Sequence, residues 1–296
     1  MTRPPGYAPE SVKVLVTGAA GQLGHDVVRA CTTAGDEVVA CDRANLDVAD
    51  REQTLQVLGA VGPDVVVHCA TFTNVDGCET DPEKAYRVNA FGTRNVAEGC
   101  ALTMARMIYV STDYVFDGRG TNPYTEWHPT GPISHYGRSK LGGEREAIDL
   151  LGPDATIVRT SWLCGAKGSN FVTTMLSLAR GGDGLITVVD DQHGCPTFTR
   201  DVAATIRRLA VGRLPGVFHV TNAEPTTWHG FASAIFAGNG HDPDRVKAIA
   251  TSELLPVRPA PRPSWSVLDN AALRGHGLPP LPPWRASLAS LLKELN

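Results

Sequence analysis

Hydrophobic spacing along the first half of the chain switches repeatedly between two periods. Short apolar runs rich in β-branched residues lie at Val12–Val16, Glu37–Cys41, Asp64–His68, Ala105–Ser111 and Ala155–Thr160. Between them, apolar positions recur every three or four residues over Gly21–Ala34, Arg51–Leu58, Pro82–Leu102 and Tyr136–Leu150; in the third, Ala85, Val88, Val96 and Ala97 carry the stripe. Apolar strands that alternate with helices predict an α/β fold, a doubly wound parallel sheet covered on both faces.

The alternation loosens after Gly165. A strand at Leu185–Val189, a helix at Arg200–Ala210, a strand at Val217–Val220 and a helix at Thr227–Phe236 follow. Between Pro256 and Pro283 there are eight prolines, which exclude long helices there. Extended loops closed by an amphipathic helix at Trp284–Leu295 are expected. The division that follows is a dinucleotide-binding domain over 1–164, rejoined by 185–221. A smaller, proline-rich C-terminal substrate lobe takes 222–296 with 165–184.

Composition narrows the function. The chain has 296 residues, 42% hydrophobic and 20% charged, with a net charge of −4. No basic stripe points to nucleic acid or to an anionic membrane surface. The seven cysteines are scattered without a Cys-x-x-Cys pair, as expected of reduced thiols in a cytoplasmic protein. Residues 1–10 hold three prolines and no apolar segment; they read as a loose tail rather than a signal peptide, and no run is long enough for a membrane span.

The first strand runs into Gly18-Ala19-Ala20-Gly21-Gln22-Leu23-Gly24 and then a helix. Gly18 suits the tight turn, Gly21 lets backbone approach a pyrophosphate, and Gly24 lets helix pack on sheet. The helix offers free N–H groups and its positive end to the phosphates. This is a Rossmann-type nucleotide turn, with Gly18, Gly21, Gln22, Leu23 and Gly24 as cofactor contacts. At the end of the second strand, Asp42 suits a ribose 2′-hydroxyl, which favours NAD; Arg43 suits a 2′-phosphate, which favours NADP. Asp47 is either an acceptor for the adenine amine or a turn former. NADPH is the expected cofactor, with NADH as the alternative.

Tyr136 and Lys140 lie one helical turn apart and face one side. An ammonium beside a phenol favours the phenolate, so Tyr136 is expected to have a lowered pKa and to exchange a proton with a carbonyl or alcohol oxygen. Thr112 follows the fourth strand, at the edge where open α/β sheets place ligands. None of His128, His135 and His193 has metal-ligand spacing. Trp127, Trp228, Trp265 and Trp284 read as packing residues of the lobe, with one of them free to stack on a substrate base.

Taken together, these motifs resemble the extended short-chain dehydrogenase/reductases, and within them the dTDP-4-dehydrorhamnose reductase family. The likeness extends from the glycine turn to Asp269. It is carried by Thr73-Asn74-Val75-Asp76, Ser111-Thr112-Asp113-Tyr114-Val115-Phe116, Tyr136-Gly137-Arg138-Ser139-Lys140, Arg159-Thr160-Ser161-Trp162, Asp191-Gln192-His193-Gly194-Cys195-Pro196-Thr197, Arg262-Pro263 and Ser266-Val267-Leu268-Asp269. The resemblance implies Thr112, Tyr136 and Lys140 as the catalytic set, with Tyr136 and Lys140 also on the cofactor and Ala70 beside it. It implies Thr73, Val75, Asp113 and Trp162 around the sugar and Arg262 near the nucleotide diphosphate; a surface arginine in a proline loop is the competing reading of Arg262. The implied reaction is NADPH-dependent reduction of the C4 keto group of dTDP-4-dehydro-L-rhamnose, by a monomer or homodimer.

The chain departs from the family at His68-Cys69-Ala70, where Asn-Ala-Ala is usual, at Phe72, and at Cys164. The acidic cluster with which some members bind a divalent cation is not matched, so no metal is expected. Two other readings compete. A nucleotide-sugar 4,6-dehydratase or epimerase is one; dehydratases carry an acid where Tyr114 follows Asp113. A non-catalytic regulatory subunit of the same fold is the other, opposed by the presence of Thr112, Tyr136 and Lys140 together.

Overall fold

The computed structural model describes residues 11–295; the expected N-terminal tail, 1–10, lies outside the described residues. Strands β1 (Lys13–Thr17), β2 (Glu37–Cys41), β3 (Val65–His68), β4 (Arg106–Thr112) and β5 (Ala155–Thr160), with a sixth strand at Gly216–His219, form one parallel sheet. Its order is sixth strand, β5, β4, β3, β1, β2. The order reverses between β1 and β3, and ligands of such sheets bind in the crevice beyond the strand ends at that point.

Successive strand residues point to opposite faces, and both faces are dry. Val14, Val16, Val67 and Ile108 pack with Val27 of helix α1 (Gln22–Thr33) and with Ile206 and Leu209 from the later helix Thr199–Gly212. Leu15, Val66, Met107 and Ile157 pack on the other face with Leu58, Val96 and Ala147. This is why the strands lack polar alternation. A third apolar cluster, with Val172, Phe198, Phe231, Phe236, Trp284 and Leu288, forms the core of the C-terminal region.

Three expectations change. The stripe over Pro82–Leu102 is not one α-helix: Pro82–Tyr86 and Gly92–Thr103 are joined by a π turn, Arg87–Phe91. That wider turn contains Asn89, which is buried and accepts from Phe72 N at 2.7 Å while donating to Ser139 Oγ at 3.0 Å. The strand at Ile186–Val189 pairs with Val246–Ile249, outside the six-stranded sheet. Trp127 does not pack in a lobe; it sits exposed in the turn Thr125–His128. Among the described residues no helix is long and apolar enough to cross a membrane.

Candidate active site

A cleft of about 570 Å³ opens at the carboxyl ends of β1, β3, β4 and β5. One wall is the glycine turn. Gly18 has φ +65°, and a Cβ there would lie 2.7 Å from Ala70 N; a Cβ on Gly24 would collide with the Gly18 carbonyl. Only glycine therefore lets this turn lie against the end of β3 and helix α1 begin beneath it. Gly21, Gln22, Leu23 and Ala70 line the same wall. The Gln22 side chain donates to Ser169 O at 3.3 Å and accepts from Asn170 Nδ2 at 3.0 Å, which ties the turn to the loop after β5.

At the end of β2, Asp42 Oδ1 is engaged by the amides of Ala44 and Asn45 at 2.9 and 3.3 Å. Arg43 is 85% exposed, with Asp47 3.6 Å from its Nε. Asp42 and Arg43 both line the cleft; Asp47 does not, and its Oδ1 accepts from Ala49 N at 3.0 Å, as a turn former does. The free N–H groups of α1, the close backbone and an exposed guanidinium at the rim suit the phosphates of a dinucleotide.

The deeper end holds Thr112, Asp113, Tyr136 and Lys140. Ser134 starts their helix (His135–Leu151) by accepting from Gly137 N at 3.2 Å. Lys140 is buried, and its Nζ donates to Val110 O at 2.7 Å and lies 4.1 Å from the Tyr109 ring centre. Burial pushes its pKa down to about 7, against the opposing pull of Glu144.

The expected lowering of the Tyr136 pKa is not what the structure gives. Desolvation raises it, aided by the nearby Asp113, and the hydrogen bond with Thr112 opposes this only in part. The reason is that removal of water disfavours a phenolate more than its neighbours favour it. Tyr136 is thus held as a phenol. Asp113 is 2% exposed. Its Oδ1 accepts from Thr112 Oγ1 at 3.0 Å, and burial raises its pKa to about 6 against the opposing hydroxyls of Ser266 and Thr112.

Behind these groups lies a pair that the motifs did not single out as a unit. Arg159 Nε and Nη2 donate to Glu144 at 2.9 and 2.6 Å, Ser111 Oγ donates to the same carboxylate at 2.5 Å, and all three residues are buried. They join the ends of β4 and β5 to the Lys140 helix.

Thr73 and Trp162 line the cleft, whereas Val75 and Arg262 do not. Val75 opens the short helix Val75–Thr80. Arg262 is neither exposed nor free: it makes a two-pronged pair with Asp76 at 3.0 and 2.9 Å. Trp162 has φ +45°, a conformation that costs a bulky residue roughly 1–3 kcal/mol and persists only where surroundings enforce it. Cys69, Thr71, Thr160 and Ser161 also line the cleft and were given no site role from the sequence. Their position just past or at the ends of β3 and β5 was the available signal.

A family model for the RmlD substrate binding domain matches residues 12–296. The chain is 43% identical over 286 residues to dTDP-4-dehydrorhamnose reductase of Streptomyces griseus, covering 95% of this chain and 93% of that one. It is 40% identical over 282 residues to dTDP-4-keto-6-deoxy-D-glucose reductase of Streptomyces niveus, covering 95% and 97%. The solved structure of dTDP-4-dehydrorhamnose reductase from Bacillus anthracis, in complex with NADP, superposes with a TM-score of 0.92 at 36% identity, over 96% of this chain and 100% of that one.

Proposed function

We propose, from the premise that the chain belongs to the dTDP-4-dehydrorhamnose reductase family, that it reduces the C4 keto group of dTDP-4-dehydro-L-rhamnose to dTDP-L-rhamnose with NADPH. As a member it is a nicotinamide-dependent oxidoreductase of dTDP-4-keto-6-deoxy sugars. The observation that carries the mechanism is the placement of the Tyr136 phenol with Thr112 and Lys140 in the cleft that also holds the glycine turn. Net reduction of a ketone consumes one hydride and one proton, and a protonated donor must stand at the oxygen.

In this reading Tyr136 gives its proton to the C4 oxygen, and Thr112 turns its hydroxyl proton from Asp113 to the same oxygen. The bound nicotinamide supplies the hydride. Lys140, one turn along the helix, stabilises the phenolate left behind and donates to the nicotinamide ribose. Asp113 Oδ2 accepts from a sugar hydroxyl. NADPH rather than NADH is supported by Arg43, which stands at the rim while Asp42 is engaged by its own turn. The same reading assigns the work to the cytoplasm, where scattered thiols stay reduced, and to a monomer or homodimer.

The test is to supply purified protein with NADPH and either dTDP-4-dehydro-L-rhamnose or dTDP-4-keto-6-deoxy-D-glucose and to follow absorbance of the reduced cofactor. Faster oxidation with the first sugar is expected. Preference for the second would move the assignment to the keto sugar of opposite configuration at C3 and C5, and oxidation with neither would overturn the reading.

A further inference from the structure

We propose that Trp228, which does not line the cleft, is a positioning residue for the sugar: its indole fixes the Trp162 ring as a rigid wall of the sugar site. This rests on the cleft being the dTDP-sugar site. The two indoles are stacked with centres 3.6 Å apart and planes 10° apart. Trp162 leaves β5 with φ +45°, so its backbone does not choose this orientation by itself. Its neighbours impose it. Ser161 Oγ donates to Cys195 O at 2.7 Å, Trp162 O accepts from Thr197 N at 3.2 Å, and a Cβ on Gly194 would lie 2.5–2.7 Å from three indole atoms.

Trp228 is itself anchored at the start of a capped helix. It opens the helix Trp228–Gly238, whose cap Thr227 accepts from Gly230 N at 3.0 Å and donates to Asp190 Oδ1 at 2.5 Å. Thr226–Thr227 pairs with His193–Gly194, the strand that carries the glycine under the Trp162 ring. The Phe171 ring also packs against Trp228, with centres 4.6 Å apart.

A 6-deoxy sugar presents a methyl group and a C–H face, and their burial against an aromatic wall favours binding. A wall already locked in place adds no ordering cost when the sugar arrives; a ring free to turn does. Trp228 therefore acts through Trp162, on substrate affinity rather than on proton transfer.

The experiment compares wild-type protein with Trp228→Ala and Trp228→Phe. Trp228→Ala should raise KM for the dTDP-4-keto sugar about tenfold, the loss of one aromatic pair and one ordered side chain. It should leave kcat and KM for NADPH within about twofold and abolish the indole exciton couplet in circular dichroism. Trp228→Phe loses the couplet but keeps a ring, and should restore most of the sugar KM. If Trp228→Ala does not fold, Trp228→Leu, which keeps apolar bulk without a ring face, takes its place with the same expected rise. An unchanged sugar KM after loss of the couplet overturns the proposal, as does a rise in KM for NADPH that matches the rise for the sugar. A wild-type protein that reduces neither sugar overturns the functional reading, and this inference with it.

Discussion

Asp113→Asn should make the protein more stable at neutral pH relative to wild type than it does in acid. Asp113 is buried, and desolvation raises its pKa from 3.8 to about 6. Between those values the folded chain keeps a proton that the unfolded chain has released. Because the folded value is the higher one, the stabilisation from the neutral carboxyl is complete below the unfolded pKa and is lost as pH rises through the folded pKa. Linkage puts the cost of the buried charge at about 3 kcal/mol at pH 7.5 and about 1 kcal/mol at pH 4.5. The substituted amide does not titrate, so whatever its own burial costs is the same at both values. Urea unfolding of both proteins at both pH values should show the variant gaining about 2 kcal/mol relative to wild type on going from pH 4.5 to 7.5. A difference that stays flat would refute the argument that a charge is held there at a cost. Keto-sugar reduction should meanwhile fall, because the amide nitrogen cannot accept the sugar hydroxyl that Oδ2 awaits. A gain in stability with a loss of activity is the pattern of a strained functional group.

Other outcomes follow from the same geometry. Tyr136→Phe should lower kcat roughly 100- to 10,000-fold, the range for a lost general acid, with NADPH binding by fluorescence nearly unchanged; near-normal turnover would remove Tyr136 as the proton donor. Arg43→Ala should raise KM for NADPH about tenfold or more, the loss of a charge-assisted contact, and KM for NADH little; equal rises would remove Arg43 from the 2′-phosphate. Arg159→Met should cost about 3–5 kcal/mol in urea unfolding at pH 7, since it strands the Glu144 charge. The double change Glu144→Leu with Arg159→Met should recover most of that, and a double variant no better than the single would show that packing, not charge, is what fails.

The sequence alone determined what depends on near neighbours in the chain. Val14 to Val16, Val65 to Val67 and Ala155 to Val158 read as doubly buried strands because each carries its own apolar run. Gly18 and Gly24 read as a nucleotide turn because a turn is made by consecutive residues. Tyr136 and Lys140 shared a face because four residues make one helical turn. The tertiary structure decided what depends on partners far along the chain. The Ile186–Val189 strand takes its place from Val246–Ile249, whose four residues, three apolar and one lysine, gave no periodic signal. Arg262 is held by Asp76, 186 residues away, and Trp162 by Trp228; neither pairing has a trace in local spacing. The direction of the Tyr136 pKa lay equally out of reach. Sequence offers the adjacent lysine and predicts a fall, but the sign is set by how much water the assembled walls remove, and burial belongs to the packed chain as a whole.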